Sequence, residues 1–265
     1  MKNLTNEFNQ IPVAILCGGK GIILDEQQNQ RLNKGLIQVH DKPLFWWVIC
    51  HYSLHGATDF ILATGFQGER FGAALETVGA TADAGQPGCY VVTIAATTCR
   101  VRLVPTAQDA TTGERLLACK PWLTQSERFA LTYSDTLSDV DLSAEMRFHK
   151  SQKLVATLVA TQYPVRFRIL GIRHGETVVR AFAPRPVIEM ASVNGGYYIF
   201  TGKLWNDAYG ISKTVALENQ PLERLATAGQ LAAFDHKGSW QHCDAERDLA
   251  ELERLAQQID ALVRT

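Results

Sequence analysis

The chain has 265 residues, 46% hydrophobic and 20% charged, enough to bury a large core and ordinary in composition for a globular protein. Its 26 Lys and Arg against 27 Asp and Glu leave a formal charge of -1, which argues against a dedicated nucleic-acid binder. The polar start has no apolar core of a secretory signal and no apolar run reaches the ~18 residues of a membrane span, so a cytoplasmic protein is expected. Six scattered cysteines (Cys17, Cys50, Cys89, Cys99, Cys119 and Cys243) form no C-x-x-C pair, and read as reduced, buried thiols.

In chain order, the apolar run 13–17 reads as a buried strand ending on Gly18, Gly19, Lys20 and Gly21, a phosphate-type turn that opens a helix. Lys42 and Pro43 lead into an apolar helix over 44–54, stopped by His55 and Gly56. Its aromatic residues Phe45, Trp46 and Trp47 are expected in the core rather than at an interface. A strand over 59–63 stops at Thr64 and Gly65, and a helix over 67–77 follows. A Gly/Ala/Asp loop over 80–88 precedes strands over 89–95 and 101–104, then a helix from about 113 to 118. A strand over 128–132 runs into the acidic stretch 134–141. Strands alternating with helices at this spacing imply a mostly parallel sheet with helices on both faces. Later come strand-like runs over 154–161, 167–172 and 178–182, and a fourth over 197–200 after Asn194, Gly195 and Gly196. Helices are expected over 217–228 and 249–263, the last with apolar residues at 249, 252, 255, 259 and 262. This pattern suggests one α/β unit over 1–265, core about 11–255, with a small antiparallel extension.

Two features could carry chemistry. Glycines directly after a strand let several backbone N–H groups converge on a phosphate, although a lone G-G-x-G serves equally as a tight turn. Asp135 stands at a strand end ahead of Asp139 and Asp141, and Asp244 follows the run 239–243. Carboxylates at strand ends can hold a divalent cation against phosphate oxygens, whereas a single Asp is more often a cap or a solvated loop residue.

Residues 16–21, Lys34, Lys42 with Pro43, 51–56 with 59–62, and 64–68 are similar to successive stretches of the sugar-phosphate nucleotidylyltransferases. So are Thr112 with Gly113, Arg115 with Leu116, 131–135 through Asp141, 148–150, 193–196, 231–234, and Trp240 with Asp244, Arg247 and Asp248. In order from about residue 12 to 255, they most resemble the glucose-1-phosphate cytidylyltransferases. The resemblance implies a Rossmann-like α/β fold with a mixed, mostly parallel central sheet flanked by helices. It also implies Mg²⁺-dependent transfer of a nucleotidyl group, CMP from CTP being favoured, to a phosphorylated small molecule such as a sugar 1-phosphate, with release of pyrophosphate. By the same resemblance Leu16, Gly18, Gly19, Gly21, Thr112 and Gly113 hold the nucleotide. Lys34 and Arg185 are the catalytic cations, Asn194, Gly195 and Arg185 meet the acceptor, and Asp135 and Asp244 bind the metal. Neither nucleic acid nor membrane is implied as a partner, and a homo-oligomer is left open.

The departures matter as much. The family reads G-G-x-G-T-R-L at the loop, where this chain has Ile22 and Ile23 ahead of Leu24, removing one hydrogen-bond donor and one cation from the triphosphate grip. That run also reads as the first turn of a buried helix. The family's K-P-K-P-M is here residues 32–36 around Lys34, its E-K-P is 184–186 around Arg185, and its T-G-G-R is 112–115 with Glu114 in the third place. Two readings stay open: a nucleotidyltransferase with an altered triphosphate grip, or a protein of the same fold that binds a nucleotide, nucleotide-sugar or partner as a regulatory or accessory subunit.

Overall fold

The computed structural model describes residues 6–19, 22–25, 30–162, 169–171, 181–183 and 192–264. Val13–Cys17 is buried along its whole length, as a strand enclosed on both faces must be. It pairs in parallel with Asp59–Thr64 on one side and Arg128–Tyr133 on the other. Around this centre the nine-stranded sheet runs Leu231–His236, Ala156–Thr161, Val193–Thr201, Arg128–Tyr133, Val13–Cys17, Asp59–Thr64, Thr97–Pro105, Cys89–Ile94 and Thr81–Ala82. Only Val193–Thr201 and Cys89–Ile94 oppose the other seven strands, so the sheet is mixed and mostly parallel. Ile169–Gly171 and Ala181–Ala183 pair antiparallel in the expected extension.

Two apolar layers cover the sheet. On one face lies Leu44–Ser53, all ten residues of which are buried, so it is apolar around its full circumference and Phe45, Trp46 and Trp47 belong to the core. Gly56 ends that segment at φ +97°, a conformation that favours glycine. Leu249–Val263 joins the same layer through Leu252, Leu255, Ala256 and Ile259. Its expected stripe stops short, because Leu262 in the last turn is 52% exposed. The opposite face is covered by Thr112–Leu123, longer than expected and continuing through Pro121, and by Gln220–Thr227. All six cysteines are buried and free. Among the described residues no helix is long and apolar enough to cross a membrane.

Two expectations need correction. No helix follows the glycine loop: Ile22–Asp25 is a strand paired antiparallel with Gln30–Leu32, with Ile22 opposite Leu32. Isoleucine at 22 and 23 suits an extended chain, because a β-branched side chain is restricted in a helix. This also removes the reading of 22–24 as the first turn of a buried helix. The acidic stretch holds regular structure of its own. Thr136–Ser138 is a strand paired with Trp240–His242, and Asp141 caps a further helix, Leu142–Gln152, accepting from the Ala144 N–H at 2.9 Å.

Candidate functional site

The C-terminal ends of the parallel strands share one edge, the usual place for a ligand crevice in an open α/β sheet. Here a cleft of about 270 Å³ lies between the glycine turn, the 108–110 loop, the start of Thr112–Leu123 and the end of Arg128–Tyr133. Leu16, Gly18, Gly19, Lys34, Thr112 and Asp135 all line it. Gly21 and Arg185 lie outside the described residues.

Glycine at 18 answers first to a neighbour within the protein. A Cβ there would fall 1.7 Å from the guanidinium carbon of Arg115. Arg115 is buried and donates to the carbonyls of Gly18 (3.1 Å), Thr64 (3.2 Å), Ala107 (3.2 Å) and Gln108 (3.2 Å) and to the Thr106 hydroxyl (2.5 Å). Burial lowers its pKa, yet a guanidinium stays charged in a protein. One side chain therefore binds the glycine turn to the loop that forms the other lip of the cleft. Gly19, by contrast, has open space where a Cβ would stand and is exposed, leaving its backbone free to meet a ligand.

Lys34 opens a 3-10 turn capped by the buried Asn33. The Asn33 amide donates to the carbonyls of Cys17 (2.7 Å) and Phe66 (2.8 Å) and its oxygen accepts from the Gly35 N–H (2.9 Å), which ties the turn to the ends of the two central strands. The Lys34 Nζ lies 2.8 Å from Asp244 Oδ1 and 3.6 Å from Asp135 Oδ2. His242 stands between the same groups, its Nε2 3.1 Å from both Lys34 Nζ and Asp244 Oδ1, its Nδ1 3.0 Å from the Thr136 hydroxyl and 3.7 Å from Asp135 Oδ1. Thr136 sits opposite His242 in the small ladder, and the Cys243 N–H donates to the Asp135 carbonyl at 2.9 Å. That pairing is what brings Asp135 and Asp244 together across the chain. Burial pulls the Lys34 pKa down, but the hydrogen bond to Asp244 and the charge of both aspartates outweigh it and hold it above its ordinary value.

The two carboxylates thus converge on one point and share a cation there. Carboxylate oxygens are the donors a hard divalent ion prefers, and Mg²⁺ is commonly held by one or two protein carboxylates with substrate phosphates and water completing the shell. Asp135 and Asp244 fit that pattern. Among the described residues no group of three or more His, Cys, Asp or Glu is arranged to enclose a metal.

The inner wall is neutral. Tyr133, at the strand end, and Thr112 both line the cleft and both donate to Glu218, Thr112 to Oε2 at 2.5 Å and Tyr133 to Oε1. Tyr198 is hydrogen-bonded to Tyr133 and accepts from the Asn194 amide at 2.5 Å. Asn194 is therefore linked to the cleft through two tyrosines without lining it. Gly195 is buried behind it, its carbonyl accepting from Trp240 Nε1 at 2.7 Å. Gly113 faces away, packed where a Cβ would meet the Val215 carbonyl oxygen at 2.2 Å. Glu218 is not singled out by the sequence, and Asn33, Arg115, Tyr133 and His242 only within longer stretches. Asn33 stands beside the candidate Lys34, and His242 two residues before Asp244, which are the signals that could have found them.

No protein-family profile matches the chain. It is 34% identical over 251 residues to a glucose-1-phosphate cytidylyltransferase of Salmonella typhimurium, covering 91% of this chain and 94% of that one. A probable glucose-1-phosphate cytidylyltransferase of Bacillus subtilis is 26% identical over 255 residues, again 91% and 94% of the two chains. Among solved structures, a putative glucose-1-phosphate thymidylyltransferase from Bacillus anthracis in complex with a sucrose superposes with a TM-score of 0.64 at 19% identity, covering 93% of this chain and 95% of that chain. At that identity the likeness speaks for the fold, the Rossmann-like nucleotidyltransferase architecture.

Proposed function

This chain belongs to the glucose-1-phosphate cytidylyltransferase family, and from that premise we propose that it transfers CMP from CTP to the phosphate of a sugar 1-phosphate, releasing pyrophosphate. The observation that carries the site assignment is the Lys34 ammonium held between Asp135 and Asp244 at the cleft. In the reaction an oxygen of the sugar phosphate forms a bond to the α-phosphorus of CTP while the bond to the oxygen bridging to the β-phosphorus breaks, and pyrophosphate leaves with that electron pair. The attacking phosphate is already ionised at neutral pH, so the protein need supply little base. Its task is positioning and charge compensation.

Lys34 is assigned to offset charge shared by the attacking phosphate and the α-phosphate. Gly18 and Gly19 are assigned to the nucleotide, with Arg115 holding their turn in place. A divalent cation such as Mg²⁺, held by Asp135 and Asp244, would supply further neutralisation of phosphate charge. Arg115 is committed to backbone carbonyls, so it is not a replacement for the arginine that the family carries next to the glycine loop. The kept trio of Lys34, Asp135 and Asp244 favours turnover over binding alone.

The test is pyrophosphate release with CTP, UTP, dTTP, ATP and GTP against several sugar 1-phosphates in the presence of Mg²⁺. CTP with glucose 1-phosphate is expected to be the fastest pair. Absence of release with every pair, in a protein that still binds a nucleotide by calorimetry, would overturn the assignment in favour of an accessory binding role.

A further inference from the structure

The inner wall of the cleft has a fixed hydrogen-bond direction. The Thr112 and Tyr133 hydroxyls each donate to one oxygen of Glu218, so both point their protons at it. Burial keeps the Tyr133 phenol well above its usual pKa and hence a donor. Thr112 Oγ1 also accepts from the Leu217 N–H at 2.8 Å. With its proton on Glu218, Tyr133 accepts from Tyr198, and Thr112 accepts from Leu217, so what each hydroxyl can still offer the cleft is its remaining oxygen lone pair. A ligand group that settles on them has to be a donor.

At C4 of a pyrimidine, cytosine carries an amino group and uracil or thymine a carbonyl oxygen. We propose that Glu218 is a specificity-determining residue: by holding the protons of Thr112 and Tyr133 it makes the cleft wall an acceptor-only surface, which takes the 4-amino group of a cytosine nucleotide and rejects the 4-oxo group of a uracil or thymine nucleotide. This rests on the CTP-dependent reaction proposed above. Glu218 acts through its two neighbours and is a positioning residue, distinct from the charged groups at the phosphate end.

The test is Glu218→Gln. A carboxamide donates as well as accepts, so one of the two hydroxyls must accept from it and turn its own proton to the cleft. The ratio of kcat/KM for CTP to that for UTP is expected to fall about tenfold, the worth of one hydrogen bond, while the KM for glucose 1-phosphate stays as in the parent protein. Thr112→Val, which removes one wall oxygen and leaves the carboxylate, should lower the same ratio by less, and decides alone if Glu218→Gln melts below the assay temperature. Calorimetric binding of CTP and UTP reads the preference without turnover, so an inactive protein that still prefers CTP would sink the reaction and leave this inference standing. A CTP-to-UTP ratio unchanged in the folded variants, equal binding or no binding of the two nucleotides by the parent protein, or a change confined to the KM for glucose 1-phosphate would each overturn it.

Discussion

Two clusters that each combine carboxyl and imidazole side chains sit in opposite environments. At the sheet edge, Asp135, Asp244, His242 and Lys34 touch one another, and Asp244 is half exposed. In the layer beneath Leu44–Ser53, Glu145 is wholly buried and neither of its carboxyl oxygens has a hydrogen-bond partner. Burial pushes its pKa up to about 8. His51 and His55 nearby are pushed down by burial to about 3 and about 4. The His51 Nε2 lies 3.0 Å from the Val140 carbonyl, whereas its Nδ1 has no partner. A carboxylate that finds a cation at a solvated edge keeps its charge; one enclosed without a partner gives it up. A group of charged residues marks a ligand site only where the charges survive, and here that is the edge.

The largest effect should come from breaking the edge cluster. Asp135→Asn or Lys34→Ala is expected to lower the rate of pyrophosphate release on the order of 10²–10³, and EDTA should abolish it. A variant retaining more than about a tenth of the parent rate, measured in the same assay, would remove that residue from the proposed mechanism. Next comes the support beneath the edge. Arg115→Ala would remove five hydrogen bonds, to four carbonyls and one hydroxyl, although the Thr64 carbonyl keeps the Thr106 N–H and hydroxyl. A loss of about 2–4 kcal/mol in urea unfolding is expected, and Gly18→Ala, which drives a Cβ into that guanidinium, should cost about 1–3 kcal/mol.

The smallest effect should come from the buried cluster, and it should appear in the pH profile rather than in the rate. The folded pKa of Glu145, about 8, lies above its ordinary 4.5. Its contribution to stability is therefore fully present below about 4.5 and is lost as pH rises through about 8. The histidines have the opposite sign. Their pKa values fall from 6.5 to about 3 and 4, so their contribution is present above 6.5 and lost on acidification. Glu145→Gln should thus raise the melting temperature relative to the parent protein more at pH 9 than at pH 5. Calorimetry showing an equal shift at both values would mean that Glu145 is already charged in the fold.

Much of the frame was legible because it is local. The apolar run 13–17, the buried helix ended by Gly56 and the amphipathic C-terminal helix each carry their period and their stop signal in adjacent residues. The helix Leu142–Gln152 was missed because its polar residues outnumber its apolar ones and blur the period, and only Asp141 marks its start. The hairpin after the glycine turn is masked because a glycine loop on a strand suggests a helix, and the preference of Ile22 and Ile23 for extended backbone is the local signal against it.

The site divides in the same way. Lys34, Asp135 and Asp244 could be named from the order of motifs along the chain, but nothing local says that they meet. The pairing of Thr136–Ser138 with Trp240–His242 decides that, and it also inserts His242 among them. Arg115, Asn33 and Glu218 depend on partners 97, 16 and 106 positions away, at Gly18, Cys17 and Thr112. The sequence by itself determined most of the strands and helices of the frame, since hydrophobic period, caps and turns act over a few residues. Only the tertiary structure decided which charges share a point and which residues line the cleft, because a hydrogen bond or ion pair depends on ångström distances between groups that the chain order leaves far apart.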